Sequence, residues 1–406
     1  MGLSDRERRV CDVIAKGKRA LLEDLRLHVG LPTGGRNTAA LDETRERLTA
    51  RAKRLGATVE IVAGEPKPGW LYGQTPGAAP LPTAVCRRSS GVPGSEILIA
   101  GHLDTVHDPQ SAFRELTLSA DGQTATGPGC VDMKGGLVIA LAALEAMDEA
   151  GVRTPWTLLL NSDEETGSYH SERAIFAESE RVARCGGVGI ALEPAMADGG
   201  LVIERAGSGQ FMIDVRGRSA HVGRDFGSGV SAVTALARLI LRVQEMSDLS
   251  AGVIVNIGPV QGGTATNVVP DLARAWGNVR YPTARAAAEV EARLKEIAAG
   301  PDVPKGAQAS VQASFIRAAK PLTPGTQALA ERARRASEDV GLPLPFGKTA
   351  GVCDGNIMQA AGLATIDTLG VRGGGLHTPE EWVELSTLVQ RCQLLAVMVM
   401  RAAAGA

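Results

Sequence analysis

Asn161-Ser162-Asp163-Glu164-Glu165-Thr166-Gly167-Ser168 places three acidic side chains in a row, directly after the apolar run Trp156-Thr157-Leu158-Leu159-Leu160. A run that short, bounded by Pro155 and a polar cluster, reads as a buried parallel strand. The acids then stand just past a strand's carboxyl end, where open α/β sheets build their sites. Adjacent carboxylates repel, and burial adds to the cost of charging them, so a cation is the usual partner. A solvated acidic turn is the competing account of this stretch taken alone.

Other stretches repeat the arrangement. Glu96 to Ala100 is an apolar strand that runs into Gly101-His102-Leu103-Asp104. Residues two apart in extended chain point the same way, so Asp104 can orient the His102 imidazole, as carboxylates behind metal-bound histidines do. Gly187 to Leu192 is a third buried strand, followed by Glu193. Asp132 sits in the glycine-dense loop 127–136, ahead of a helix from Leu137 to Met147. That loop lacks the G-x-x-x-x-G-K-[ST] spacing of a phosphate-binding loop. His377 follows Gly373-Gly374-Gly375-Leu376. The next residues, Thr378-Pro379-Glu380-Glu381, read as the capped start of a long C-terminal helix.

His102, Asp132, Glu165, Glu193 and His377 are therefore candidate ligands. Two histidines and three carboxylates suit zinc, with cobalt or manganese as substitutes. Five ligands with one bridging carboxylate is the count for two divalent metals, and such a pair lowers the pKa of a shared water. Glu164, beside a ligand and not needed as one, is the natural general base. Asp163 is then a supporting neighbour. His28 and His170 read as structural or exposed, His107 as facing away from His102, and Cys130 as a buried thiol.

With 406 residues, 44% of them hydrophobic, the chain is long enough for two domains and a sizeable core. A net charge of −2 and only 3% aromatics argue against nucleic acid or an anionic membrane as partner. The amino-terminal stretch has no apolar signal core, no membrane-length apolar run occurs, and the six cysteines show no CxxC spacing. A cytoplasmic protein with free thiols is the expectation. Asp5 to His28 reads as one helix, capped by Ser4 with Glu7, and Thr38 to Leu55 as a second; Thr58 to Val62 is a strand.

From Phe211 the pattern changes to alternation. A half-exposed strand there is followed by a helix (Val230 to Met246), strands at Gly252 to Val260 and Asp271 to Tyr281, a helix (Ala286 to Ala299) and a strand (Ala307 to Arg317). The order β-α-β-β-α-β is the split ferredoxin-like unit. It is set into an α/β domain that resumes with a helix from Thr326 to Val340 and a strand from Ala364 to Leu369. The expected division is 1–207 and 319–406 for the α/β domain and 208–318 for the insert.

Six blocks in order carry a resemblance: His-Leu-Asp-Thr-Val at 102–106, Gly-Pro-Gly-Cys-Val-Asp-Met-Lys-Gly-Gly at 127–136, Asp-Glu-Glu-Thr-Gly-Ser at 163–168, Leu-Glu-Pro at 192–194, Ser-Ala-His-Val-Gly at 219–223 and Leu-His-Thr-Pro at 376–379. Over nearly its whole length the chain resembles the di-zinc aminoacylase and carboxypeptidase family. That family includes acetylornithine deacetylase, succinyl-diaminopimelate desuccinylase and the folate-cleaving glutamate carboxypeptidases. The resemblance implies an α/β/α zinc-exopeptidase-like catalytic domain with an inserted ferredoxin-like lid used for dimerisation. It implies that His102 and Glu193 bind one metal, Glu165 and His377 the other, and that Asp132 bridges and is followed by a cis peptide. Asp104 would orient His102, and Glu164 would be the base.

His221, in the Ser-Ala-His block, would polarise the scissile carbonyl in the partner subunit of a homodimer. Asn267 and Arg280 match positions that bind a substrate carboxylate, which suits the planar fork of arginine. Gly351 opens a loop resembling the family's substrate-lining loop, with Cys353 where serine or threonine is commoner. The implied activity is metal-dependent hydrolysis of an amide next to a free carboxylate, carboxypeptidase-like, with release of an acidic or small amino acid such as glutamate. An N-acyl-amino-acid deacylase or a dipeptidase of the same architecture is the alternative. A binding protein that had lost catalysis would show a broken ligand set, and here the set is complete.

Overall fold

The computed structural model describes residues 2–34, 37–74, 77–89 and 95–403. Ile97–His102 and Trp156–Asn161 are buried at every position and pair in parallel. They lie at the centre of a six-stranded sheet among the described residues. Its order is Thr58–Val62, Thr83–Arg88, Trp156–Asn161, Ile97–His102, Val188–Ala191 and Thr365–Ile366. Thr83–Arg88 runs antiparallel to both of its neighbours, and the last four strands are mutually parallel.

Ile97, Ile99, Leu158 and Leu160 point into a core with the helices Gly135–Glu149 and Ser386–Ala403. Leu98, Ala100 and Leu159 point the other way, onto Glu172–Arg184 and Asp354–Ala360. Helices on both faces explain why these strands read as continuous apolar runs.

A second sheet has the order Ile254–Gly262, Leu272–Tyr281, Gly207–Arg216 and Gln308–Arg317, with every neighbouring pair antiparallel. The helices Ala232–Gln244 and Ala284–Ala299 cover one face, over Phe211, Ile213 and Val215. Strand alternation turns Ser208, Gln210, Met212 and Asp214 to the opposite face. In register beside them stand Arg280, Asn278, Trp276 and Arg274.

Three expectations fail, each for a local reason. The helix from Asp5 to His28 is two helices, Asp5–Lys16 and Lys18–Val29, parted at Gly17. Glycine weakens a helix interior, and the break lets Val10 and Ile14 on one side, and Leu21 and Leu25 on the other, all reach the core. The strand from Ala364 to Leu369 shrinks to Thr365–Ile366, because the next residue, Asp367, turns to buried ion pairs with Arg205 (2.8 Å) and Lys320 (3.3 Å). Thr378 to Glu381 does not start the C-terminal helix, which begins at Ser386. Those residues form a turn, and Trp382–Glu384 then pairs with Thr124–Thr126.

Candidate active site

His102 is the last residue of its strand and is buried. Its Nδ1 lies 2.9 Å from the Asp104 carbonyl oxygen and 3.4 Å from Asp104 Oδ1. Its Nε2 lies 3.3 Å from Asp132 Oδ1, and neither atom finds a properly directed hydrogen bond among the described residues. The other Asp132 oxygen, Oδ2, faces His377 Nε2 at 3.5 Å, and His377 Nε2 is 3.4 Å from Glu165 Oε2. Ligand atoms of His102, Asp132 and Glu165 all lie within 4.8 Å of one another. Glu193 is outside that cluster, though its charge is felt at His102.

Two backbone features shape this centre. The Asp132–Met133 peptide is cis. His377 has a φ of 64°, a left-handed conformation uncommon for a residue with a side chain and a frequent companion of function.

The electrostatics describe a site short of positive charge. Contacts with Asp132 and Glu165 lift His377 to about 10. Burial opposes charge on His102, yet Asp104, Asp132 and Glu193 hold its pKa well above the usual imidazole range. Burial pushes Glu193 well up, and the neighbouring Glu164 adds to this. Burial also pushes Glu164 up to about 8, against the pull of Arg317 and His102. Buried atoms that lack partners, and imidazoles recruited as counter-ions by carboxylates, make a donor set suited to a cation.

Several contacts that the sequence reading did not foresee hold this centre in place. Asp104 accepts the backbone N–H of Glu164 (3.2 Å) and of Glu165 (3.0 Å), so it fixes the acidic turn as well as His102. Glu381 is 1% exposed, and its carboxylate accepts the N–H of Gly129 (2.8 Å), Val131 (2.9 Å) and Asp132 (3.0 Å). His107 Nε2 lies 2.5 Å from the same carboxylate. His107 thus supports the Asp132 loop through Glu381. The inward pull on Glu381 is the reason the chain turns there instead of starting a helix.

Arg317 ends the last strand of the second sheet, and its Nη2 is 2.7 Å from Glu164 Oε1. It also donates to the Glu164 carbonyl and to Ser168 Oγ, each at 2.7 Å. A bulge between Ser314 and Arg317 aims it there, and strand periodicity gives no sign of such a shift.

The remaining candidates divide. Arg280 shares a cavity of about 230 Å³ with Glu165, Arg317, Asn278 and Val352, and its buried Nη1 has no hydrogen-bond partner among the described residues. Gly351 is exposed beside Val352, with its carbonyl oxygen accepting Arg205 Nη1 at 3.1 Å. Cys353 is a buried helix cap whose sulfur accepts the Gly355 N–H. His221 and Asn267 are exposed, and the strand bearing Arg280 separates them from the cavity. From Leu272 to Arg280 alone that strand spans about 27 Å.

The model of peptidase family M20/M25/M40 matches residues 98–401. The chain belongs to this family. It is 26% identical over 393 residues to carboxypeptidase G2 of Pseudomonas sp., covering 95% of this chain and 90% of that protein. It is 25% identical over 329 residues to succinyl-diaminopimelate desuccinylase 2 of Shewanella loihica, covering 76% and 85%. Its fold is similar to that of a dinuclear metal-binding M20 peptidase of Bacillus subtilis, with a TM-score of 0.63 at 16% identity over 96% of this chain and 99% of the other.

As an M20 protein the chain is a hydrolase of amide bonds. Among the described residues, no helix is long and apolar enough to cross a membrane.

Proposed function

We propose that the protein is a homodimeric, two-metal amide hydrolase that cleaves beside a free carboxylate in the manner of a carboxypeptidase. The observation that carries this is Asp132, each of whose oxygens faces one histidine, His102 or His377, with buried atoms between them that lack directed hydrogen bonds. The donor set fits zinc best, with cobalt or manganese as substitutes. His102 and Glu193 would hold one metal and Glu165 and His377 the other, with Asp132 shared. Bound there, the cations would supply Lewis acidity and a water acidic enough to attack at neutral pH.

Glu164 takes the proton of the attacking water and hands it to the leaving amine. Arg317 holds the carboxylate in place for this and stabilises its charged form. Arg280 offers its unpartnered Nη1 to the substrate carboxylate in the cavity beside Glu165. Gly351 adjoins Val352, which lines that cavity.

His221 and Asn267 lie too far along the lid to serve the same centre, so they act on a second copy's substrate. We take 208–318 as the lid and dimerisation domain and 1–207 with 319–406 as the catalytic body. Support comes from Leu241 and Val260, which are 68% and 54% exposed on the lid helix Ala232–Gln244 and the bare edge strand Ile254–Gly262. Such an edge and helix face favour pairing with another chain. Six free cysteines are in keeping with a cytoplasmic location.

The test is a panel of folyl-glutamates, N-acyl amino acids and dipeptides, given to protein loaded with zinc, cobalt or manganese. Release of a C-terminal amino acid such as glutamate is the expected result. Hydrolysis confined to short-chain N-acyl amino acids would make it a deacylase, and hydrolysis confined to dipeptides a dipeptidase. No cleavage of any amide would overturn the reading.

A further inference from the structure

Residues 63–74 have no regular secondary structure and run between the strands Thr58–Val62 and Thr83–Arg88. Connections this long inside a compact domain are uncommon and usually functional. This one is fastened at three places. Glu65 donates its N–H to the His170 carbonyl oxygen (3.0 Å), and its own carbonyl oxygen lies 2.6 Å from His170 Nδ1. The Lys67 ammonium, on a side chain only 4% exposed, donates to Thr166 Oγ1 at 2.5 Å and to the Thr166 carbonyl oxygen at 3.3 Å, and lies 3.7 Å from Asp163 Oδ2. At the far end, the Trp70 carbonyl oxygen accepts Trp276 Nε1 at 2.6 Å, and the Tyr72 ring meets the Trp276 ring edge-on, 5.3 Å between centroids.

These anchors link two parts of the proposed machinery. Asp163 and Thr166 bracket Glu164 and Glu165. Trp276 stands on the same strand and the same face as Arg280, four residues away. The attachment also answers how three consecutive acids are tolerated. Asp163 is 1% exposed and accepts the His170 N–H and Ser171 Oγ, each at 2.7 Å. Lys67 is its cation. Asp163 is thereby satisfied from outside, and Glu164 and Glu165 alone face the centre.

We propose that residues 64–74 form a strap that bolts the acidic turn to the lid, with Lys67 as the positioning residue that sets Glu164 and Glu165. The proposal rests on the two-metal hydrolase reading given above. It goes beyond that reading in tying the lid strand of Arg280 to the turn by a covalently continuous segment.

The experiment compares full-length wild type, Lys67→Met and Lys67→Arg in two measurements. The first is calorimetric titration of metal-free protein with zinc, which needs no substrate. Lys67→Met is expected to weaken the weaker of two sites by about 10- to 100-fold, as loss of an orienting partner does. Lys67→Arg should recover most of it, since the charge is kept. The second is steady-state kinetics, in which Lys67→Met lowers kcat by at least about tenfold with KM within about twofold.

Wild-type zinc affinity and kcat in Lys67→Met would overturn the proposal, as would an arginine variant no better than methionine. If Lys67→Met fails to fold, Thr166→Val removes one Lys67 partner and should weaken zinc binding in the same direction; unchanged binding would overturn the proposal. A wild type that binds two zinc ions and cleaves no amide removes the hydrolase reading, while the titration still decides the role of Lys67.

Discussion

The two sheets divide the labour in opposite ways. The central strands Ile97–His102 and Trp156–Asn161 are buried on both faces, and each ends in the chemistry: His102 on one, the acidic turn on the other. The edge strand Ile254–Gly262 of the second sheet is exposed along most of its length, and the same segment of the chain carries His221 and Asn267 in the open. A dry, rigid sheet end raises the energy of unpaired charge and so concentrates it on a cation or a proton. A half-wet sheet can pair, tilt and present side chains to another copy. Glu164 and Arg280 stand on either side of that division, with Arg317 reaching from the second sheet to Glu164.

The largest expected effect tests the buried half. Glu164→Gln should keep both metals in a calorimetric titration and lose about 10²- to 10⁴-fold in kcat. Loss of the metals instead would exchange the roles of Glu164 and Glu165. His221→Ala tests the open half, with an expected loss of about 10²- to 10³-fold in kcat and unchanged metal content.

Mixing the two inactive variants sharpens the contrast. A heterodimer places an intact Glu164 opposite an intact His221 at one of its two sites. Equal mixing with subunit exchange should restore about a quarter of wild-type activity. No recovery would return His221 to its own subunit.

A smaller effect belongs to the lid surface. Leu241→Asp together with Val260→Asp should shift sedimentation from dimer towards monomer by more than about tenfold in Kd, since exposed apolar anchors dominate such interfaces. Retention of the dimer would place the interface elsewhere.

The smallest effect is expected beneath the catalytic sheet, where no chemistry is placed. His28 is buried, as a structural reading of it requires, and burial takes its pKa down to about 4. The folded state therefore prefers the neutral ring. Stability is fully present above about 6.5 and falls as pH drops towards 4, by at most about 3 kcal/mol. His28→Gln should flatten the fall of Tm across that range, and an unchanged slope would assign the acid sensitivity to other groups.

For the five elements of the insert from Val230 to Arg317 the expected ends fall within two positions, because alternation and helical periodicity are local signals; the first strand begins at Gly207, four residues before Phe211, and the short helix Val222–Asp225 gave no such signal. The breaks at Gly17 and at Thr378 were less legible. A glycine in a helical pattern is tolerated as often as it breaks, and a Thr-Pro-x-Glu pattern is a good cap until something distant claims the glutamate. Glu381 is claimed by the N–H groups of Gly129, Val131 and Asp132, some 250 residues away in the chain.

The linear chain by itself determined which residue types follow each buried strand, and hence the candidates His102, Glu164, Glu165 and Glu193; its glycine-rich stretches pointed to Asp132 and His377. Strand ends in a parallel sheet converge by geometry, so a one-dimensional pattern is enough to nominate them. Tertiary structure alone decided what neutralises and aims them. Arg317 reaches Glu164 through a bulge, Lys67 reaches Asp163 through a strap, and Glu381 gathers the Asp132 loop. Each of these is a long-range pairing of buried charge or backbone. Which partner a buried group finds depends on packing across the whole molecule, and no local pattern encodes it.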